Sequence, residues 1–217
     1  MKYEGSQISD VTPVSYLIYD GEVTEGCQVH RLEQPGNDPK NRQLVIAICG
    51  SAGSGKTTLA HALASTLQLP ILDLDTITNP VLDAVSLLLP GRHWNAPEHH
   101  QLIRDARYAA LRGAVADVVS VGLGAVLAAP FSEELRGGEA WVALNAAAAP
   151  APTHFVYIAG SPELLAERRR LRAATRDQFR GNAVPLGEVR IPTTRIEATL
   201  STKQQLLRVL KALGLEA

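Results

Sequence analysis

Gly50-Ser51-Ala52-Gly53-Ser54-Gly55-Lys56-Thr57-Thr58 is the stretch that decides the fold of this 217-residue chain. It matches the phosphate-binding loop (P-loop) pattern, in which two glycines separated by four residues are followed by Lys and by Ser or Thr. The glycines let the backbone curl so that successive N–H groups point at one anion. In this pattern the lysine reaches the β- and γ-phosphates of a nucleotide, and the first threonine is a ligand of Mg²⁺. We therefore expect all nine residues to bind a nucleotide and Thr57 to hold the metal as well.

The segments on either side of the P-loop are the strand and the helix that the motif requires. Residues 44–49 form a short apolar run, typical of a strand that is buried on both faces of a sheet. After the motif, Leu59, Leu63 and Leu67 recur at helical spacing, and Pro70 follows where a helix would end. That helix would begin near Thr57 and turn its positive end toward the phosphates.

Composition and charge limit the classes of function. A chain of this length is one domain of ordinary size, or one domain with an appendage. Apolar residues make up 46% of it, and the net charge of −1 gives no field that would attract nucleic acid or an anionic membrane. No apolar stretch is long enough to cross a bilayer, and the N-terminus does not resemble a secretory signal. With two cysteines, the chain is expected to be a cytoplasmic protein without a disulfide framework.

The first 42 residues are predicted to be an extension of the P-loop domain, which would occupy residues 43–217. Residues 14–19 and 22–24 flank Asp20-Gly21, a favoured two-residue turn, and this pattern indicates a β-hairpin. The hairpin could pack on the edge of the domain, cover the nucleotide site or form a dimer contact. The sequence leaves these three roles open.

Residues 69–76 are predicted to form a second core strand that ends in two carboxylates, Asp73 and Asp75. Alternation along a strand places both on the same side, and ligands of an open parallel sheet bind beyond the carboxyl ends of its strands. A carboxylate there can hold Mg²⁺ or accept a proton from a substrate hydroxyl. The alternative is that both aspartates simply cap the following helix.

An irregular insertion at residues 79–104 concentrates basic and aromatic side chains. These are Arg92, His93, Trp94, His99, His100 and Arg104. Such a cluster could bind a polyol, a carboxylate or a phosphate, but a histidine taken alone is more often a surface or capping residue. The spacing of the histidines matches no zinc-binding pattern.

Beyond the insertion, helical and strand patterns alternate. A long helix is predicted for 101–121, and strands are predicted for 125–129, 153–159 and 195–200. Residues 146–152, rich in alanine and proline, are predicted to be a connection, and Ser201 is predicted to cap a last helix whose leucines at 206, 207, 210 and 213 face the core. With the two strands already described, this order predicts a three-layer α/β/α sandwich around a five-stranded parallel sheet, plus the N-terminal hairpin. The third core strand ends in alanines where many P-loop proteins have a magnesium-holding Asp, so that role falls to Thr57 and Asp73.

A basic helix is predicted after the fourth strand. Ser161-Pro162-Glu163 has the composition of a helix start, and Arg168, Arg172 and Arg176 follow at a spacing of four, which places them on one stripe. The stripe would either close on bound phosphates as a lid or lie in solvent as a basic face.

This order of elements resembles that of the small-molecule kinases of the P-loop class. Nucleoside, shikimate and gluconate kinases and chloramphenicol phosphotransferase belong to that group. The resemblance covers about residues 43–214 and rests on the P-loop, on Asp73 and Asp75, and on the arginine helix. It implies ATP and Mg²⁺ as cofactors, and transfer of the γ-phosphoryl group to a hydroxyl of a small metabolite such as a sugar acid or polyol.

The resemblance also implies roles for single residues near the transferred phosphoryl group. Lys56, Arg168 and Arg172 would act in catalysis by neutralising its charge. Arg172 and Arg176 would bind the nucleotide. Asp73 would stand near the metal with Thr57.

For the acceptor, the resemblance implies that Asp75 contacts the hydroxyl and serves as the base, although the sequence does not decide between Asp73 and Asp75 in that role. Arg92, His93, Arg104 and Phe131 would complete the acceptor pocket. Shikimate kinase has a glycine triplet after its third strand. Here residues 128–131 read Ala-Ala-Pro-Phe, which argues against shikimate as the acceptor.

Two other classes of function remain open at this point. One is a nucleotide-binding switch or ATPase without a small acceptor, which the missing carboxylate on the third strand favours. The other is a kinase that acts on a larger partner. The near-zero net charge argues against a nucleic-acid partner, no membrane partner is expected, and a homodimer is left open.

Overall fold

The computed structural model describes residues 43–88, 94, 96–172 and 188–215, together with the backbone of 18–19 and 22–23. The chain divides into two compact units, Met1–Pro35 and Gly36–Ala217. In the first unit, β1 (Ile18–Tyr19) pairs antiparallel with β2 (Glu22–Val23), with Ile18 opposite Val23. This pairing brackets residues 20–21 and agrees with the predicted hairpin. The rest of the predicted N-terminal extension lies outside the described residues.

The second unit alternates strands and helices. Its strands are β3 (Val45–Cys49), β4 (Ile71–Asp73), β5 (Ala125–Ala128), β6 (Thr153–Ala159) and β7 (Thr194–Glu197). Its helices are α1 (Lys56–Leu67), α2 (Leu74–Ser86), α3 (His100–Ser120), α4 (Glu139–Ala148), α5 (Pro162–Arg172) and α6 (Thr202–Ala212), with single 3₁₀ turns at Pro97–His99 and Glu134–Arg136. The five strands form one parallel sheet in the order β4-β5-β3-β6-β7. The predicted five-stranded parallel sheet is therefore confirmed.

Strand β3 lies at the centre of the sheet, and all its residues are fully buried. Val45, Ala47 and Cys49 pack in one cluster with residues of α3 and α4, whereas Ile46 and Ile48 pack in another with residues of α1 and α6. A strand covered by helices on both faces needs apolar side chains at every position, which explains the unbroken apolar run. These two clusters give the predicted three layers.

The second strand is shorter than its sequence pattern indicated. Strand β4 ends at Asp73, and the Asp73 carboxylate accepts hydrogen bonds from the backbone N–H groups of Asp75 (2.9 Å) and Thr76 (3.2 Å). This N-cap starts α2 at once, so Asp75 lies in the first turn of a helix. The expectation that alternation on a strand places Asp73 and Asp75 on one side is therefore wrong. The capping alternative holds for Asp73.

Two further helices show where local patterns succeed and fail. Residues 146–152 were predicted to be a connection, but residues 146–148 form the last turn of α4. Helix α6 has the predicted Ser201 cap, completed as a capping box by Gln204. Leu207 was predicted to face the core and is 51% exposed, whereas Gln205 is buried. Within the described ranges, no helix combines the length and hydrophobicity that a membrane span requires.

Candidate active site

The P-loop leaves the carboxyl end of β3 and curls through three left-handed glycines. Gly50, Gly53 and Gly55 have φ angles of 140°, 87° and 99°, which side-chain-bearing residues rarely adopt. Gly53 is also required for space, because a Cβ atom there would lie 2.6 Å from the carbonyl oxygen of Leu165 in α5. Helix α5 therefore packs directly on the P-loop.

A cleft opens in front of the P-loop at the carboxyl edge of the sheet. Its first wall consists of Ala52, Gly53, Gly55, Lys56, Thr57 and Thr58, its second of Asp73, Leu74 and Asp75, and its third of Ala128, Ala129 and Pro130. The Lys56 ammonium donates to the backbone carbonyl of Ser51 at 3.0 Å, which folds this side chain back over the loop. Ser54, by contrast, is fully buried beneath the loop. The cleft thus brings the P-loop lysine together with both predicted aspartates.

Asp73 connects the P-loop helix with the start of α2. Its Oδ1 atom accepts the two N–H groups of the helix cap, and its Oδ2 atom accepts the Thr57 hydroxyl at 3.0 Å. Adjacent oxygen ligands of an octahedral Mg²⁺ ion are about 2.9 Å apart, given Mg–O distances of about 2.0–2.1 Å. The Thr57 and Asp73 oxygens therefore have a spacing that fits one edge of a Mg²⁺ site.

The protein oxygens at Thr57 and Asp73 are too few to form a complete metal site by themselves. Among the described residues, no group of three or more His, Cys, Asp or Glu side chains gathers into an all-protein metal cage. Mg²⁺ in nucleotide sites usually takes one or two protein oxygens and completes its shell with phosphate and water. The pair at Thr57 and Asp73 agrees with that second arrangement.

Asp75 is held by an arginine that the sequence did not single out. Arg107 of α3 donates through Nη2 to Asp75 Oδ1 (2.5 Å) and Asn79 Oδ1 (3.0 Å), and through Nε to Thr78 Oγ1 (2.8 Å). Its guanidinium carbon lies 5.4 Å from the centroid of the Trp94 ring. Asp75 and Arg107 are 32 positions apart, so only the packing of α2 against α3 brings them together.

Two residues predicted to contact the acceptor belong to a separate cluster, outside the lining of the cleft. Phe131 is fully buried, and its ring packs edge-on against Tyr108 and Phe155. Arg104 forms ion pairs with Glu133 (2.9 Å) and with Glu134 (3.1 Å). Its guanidinium carbon also lies 4.2 Å from the centroid of the Tyr108 ring. Phe131 is therefore a core residue, and Arg104 is occupied by two carboxylates; neither lines the described cleft. The other two predicted acceptor residues, Arg92 and His93, lie outside the described residues.

Burial controls the ionisation of this second cluster. The Glu134 side chain is 1% exposed, and burial raises its pKa although Arg104 acts in the opposite direction. Burial also raises the pKa of the Cys49 thiol at the end of β3, and the Glu134 charge adds to that effect. The Tyr108 hydroxyl accepts the backbone N–H of Phe131 at 2.9 Å, and burial raises its pKa as well. Cys49 and Tyr108 are therefore neutral structural groups at physiological pH.

The arginines of α5 occupy different surroundings from one another. Arg168 donates to the backbone carbonyl of Ala198 at 2.9 Å and so joins α5 to the segment after β7. The stem of Arg169 runs beside the P-loop, since its Cγ atom would lie 3.3 Å from a Cβ atom at Gly53. Arg172 ends α5 and Arg176 lies outside the described residues. Closure of these arginines on a nucleotide remains a prediction.

Comparison with known proteins identifies the family to which this chain belongs. The family model described as an AAA domain matches residues 45–189, which is more than half of the chain. Dephospho-CoA kinase of Trichormus variabilis is 35% identical over 74 residues, and the match covers 28% of this chain and 38% of that relative. The chain thus spans well under half the length of the curated relative that it matches.

Two solved structures have the same fold at low sequence identity. A gluconokinase from Sinorhizobium meliloti 1021 matches with a TM-score of 0.50 and 19% identity over 79% of this chain and 92% of that chain. The Mycobacterium tuberculosis APS kinase CysC, in complex with AMPPNP and APS, matches with a TM-score of 0.53 and 17% identity over 80% of this chain and 98% of that chain. The family match begins at β3 and includes the P-loop, the two aspartates and α5. The chain therefore belongs to this AAA domain family of P-loop proteins and has the fold of the P-loop small-molecule kinases.

Proposed function

We propose that the chain is an ATP-dependent kinase that transfers the γ-phosphoryl group to a hydroxyl of a small metabolite. The observation that carries this proposal is the pair of aspartates that line one cleft together with the P-loop. Asp73 is directed at Thr57, and Asp75 is held by Arg107, so the two have different partners and different positions. Phosphoryl transfer needs a metal-side carboxylate and a second group that orients the nucleophile.

The nucleotide side of the site would be formed by the P-loop. Its backbone N–H groups, Lys56 and the first turn of α1 would bind the phosphates. Thr57 and Asp73 would hold Mg²⁺, which when bound neutralises charge on the phosphate oxygens. Arg168, Arg172 and Arg176 would add positive charge if the end of α5 closes on the nucleotide.

Asp75 would serve the acceptor. Asp75 lines the same cleft as Leu74 and the P-loop residue Lys56. A hydroxyl that enters between the two walls could donate a hydrogen bond to Asp75 and present its oxygen to the phosphorus. Because the transition state of phosphoryl transfer is loose, Asp75 has to orient the hydroxyl first and accept its proton late.

The third wall and the comparisons support the proposed class of acceptor. Ala128, Ala129 and Pro130 present no charge to the cleft, so they suit the carbon skeleton of a small molecule. The names of the matched proteins point to gluconate and dephospho-CoA as candidate acceptors, and the APS kinase structure adds APS. A sugar acid or polyol remains the acceptor that we propose.

The test measures ADP release by the purified full-length chain with ATP and Mg²⁺. The acceptors are gluconate, other sugar acids and polyols, dephospho-CoA and APS. Release that depends on one of them supports the proposal. Slow release that no acceptor changes supports the alternative of a P-loop ATPase or switch, and absence of ATP binding contradicts both.

A variant pair sharpens this test at the proposed base. Asp75→Asn should keep its affinity for ATP and lose turnover by on the order of 10²-fold, which is the usual contribution of a general base. Asp117→Asn changes an exposed carboxylate of α3 in the same way and should retain wild-type turnover. If Asp75→Asn matches this control, Asp75 does not act on the acceptor.

A further inference from the structure

We infer that Arg107 is the positioning residue of the proposed phosphoryl transfer, because it fixes the Asp75 carboxylate in the orientation that receives the acceptor. This inference rests on the proposed function. Arg107 lies on α3, whereas the P-loop precedes α1 and the two aspartates lie at the start of α2. Arg107 itself does not line the cleft, so it would act through Asp75.

The contacts of Arg107 follow one stripe of α2. Asp75, Thr78 and Asn79 are spaced by three and four positions, so their side chains lie on the same face of the helix. Arg107 reaches all three with Nε and Nη2. A planar guanidinium held at three points cannot rotate freely, and the carboxylate bonded to it is confined as well.

Trp94 covers the guanidinium from another side. Its indole N–H donates to Asp83 at 2.7 Å, and its backbone N–H donates to the Ser86 hydroxyl at 3.0 Å, so this residue is docked on α2. Its ring faces the Arg107 guanidinium as a cation–π partner, and the Trp94 side chain is buried. Arg107 is thus packed between α2 and Trp94 rather than extended into solvent.

Burial makes the ion pair between Arg107 and Asp75 stronger than an ordinary surface ion pair. The Arg107 side chain is 13% exposed and the Asp75 side chain is 23% exposed. Surface ion pairs are screened by water and lose side-chain freedom, so many of them have little effect. A charge-assisted hydrogen bond that is largely shielded from water keeps its geometry better, as a base that must meet a hydroxyl requires.

The test uses Arg107→Ala and Arg107→Lys in the full-length chain, with ATP and the acceptor that gives turnover in the panel. Arg107→Ala should lower kcat on the order of 10²-fold, the usual effect of a misplacement of about 1 Å, while the Kd for ATP stays within about twofold. Arg107→Lys keeps the positive charge but loses the planar guanidinium, so its kcat should lie between those of the wild type and Arg107→Ala.

Chemical rescue separates positioning from general stability. Guanidinium chloride at a concentration below denaturation should restore part of the kcat of Arg107→Ala, whereas equal concentrations of NaCl or urea should not. Arg112→Ala is the matched control, because it removes another partly buried arginine from α3. This control should keep wild-type kcat and show no response to guanidinium. If Arg107→Ala does not fold, Arg107→Lys carries the comparison of kcat with ATP affinity.

The outcomes distinguish this inference from the proposed function. Loss of kcat with ATP affinity retained, and recovery with guanidinium, support the positioning role. A fully active Arg107→Ala protein, or a variant whose kcat and ATP affinity fall together without rescue, overturns the role and leaves the proposed function standing. A wild-type chain without turnover for any acceptor overturns both.

Discussion

Thr57 and Asp73 meet through a hydrogen bond of 3.0 Å, although 16 positions separate them in the chain. One oxygen of the Asp73 carboxylate receives the Thr57 hydroxyl, and the other receives two backbone N–H groups at the start of α2. A single side chain thus links the first turn of α1 with the first turn of α2. The proposed metal site and the cap of a helix therefore depend on the same residue.

These two roles of Asp73 can be separated by substitution. Asp73→Asn keeps a side chain that caps helices as well as Asp, so the free energy of unfolding should change little. It removes the negative charge, and we expect the Mg²⁺ concentration for half-maximal activity to rise by about 10-fold or more. Asp73→Ala should show the same metal effect and also lose about 1 kcal/mol of stability with the cap. Mg²⁺ titrations and urea unfolding measure the two effects. An unchanged Mg²⁺ requirement in Asp73→Asn would argue against the metal role.

Lys56 should be essential for phosphoryl transfer and dispensable for the fold. Lys56→Ala removes the ammonium that is predicted to reach the β- and γ-phosphates, so turnover should fall below detection. The secondary structure and the thermal midpoint should stay close to wild type, because Lys56 lies on the rim of the cleft and not in either core cluster. Circular dichroism and ADP release test this, with Lys211→Ala on α6 as the control. An active Lys56→Ala protein would show that the loop has another role.

The sequence predicted the parts of the fold that depend on neighbours in the chain. The P-loop, its buried strand and the capped helix α6 are encoded by residues within a few positions of one another, and the structure agrees with each. Hydrophobic patterns also gave the correct order of strands and helices. Asp75 was assigned to the wrong kind of element because strand and helix patterns overlap where an aspartate can cap the following helix.

Contacts between distant residues could not be derived in the same way. Arg104 and Arg107 are both arginines of α3, and only packing against α2 and the 3₁₀ turn Glu134–Arg136 decides which carboxylates they meet. Phe131 follows a strand end, where a ligand contact is a reasonable expectation. Its backbone turns to a φ of 50° and directs the ring into the core instead.

Gly53 and Gly55 offer a matched pair for the packing of α5 on the P-loop. Both have left-handed φ angles, so alanine at either position is strained by about 1 kcal/mol. At Gly53 the new Cβ would also collide with the Leu165 carbonyl, whereas at Gly55 it meets no atom within 4 Å. Gly53→Ala should therefore cost at least about 1 kcal/mol more than Gly55→Ala in urea unfolding. If Gly53→Ala and Gly55→Ala lose the same free energy of unfolding, α5 can move away from the P-loop without cost.

Glu134 should give the stability of the protein a measurable pH dependence. Burial raises its pKa above the ordinary value of 4.5, so the folded chain keeps this proton to a higher pH than the unfolded chain does. The stability that Glu134 contributes is then greatest below pH 4.5 and falls as the pH rises through the interval between the ordinary pKa and the raised one. Glu134→Gln is neutral at every pH and has no such loss.

The free energy of unfolding of Glu134→Gln should consequently rise relative to wild type as the pH increases from about 4 to about 7. Urea unfolding at several pH values in this range measures the difference. Glu133→Gln is the control, because it removes the other ion-pair partner of Arg104 from a side chain that is 41% exposed, where such pairs contribute only about 0–1 kcal/mol. If the difference in unfolding free energy between Glu134→Gln and wild type stays constant or falls with pH, the pKa of Glu134 is not raised. Arg104 would then compensate fully for the burial of the Glu134 charge.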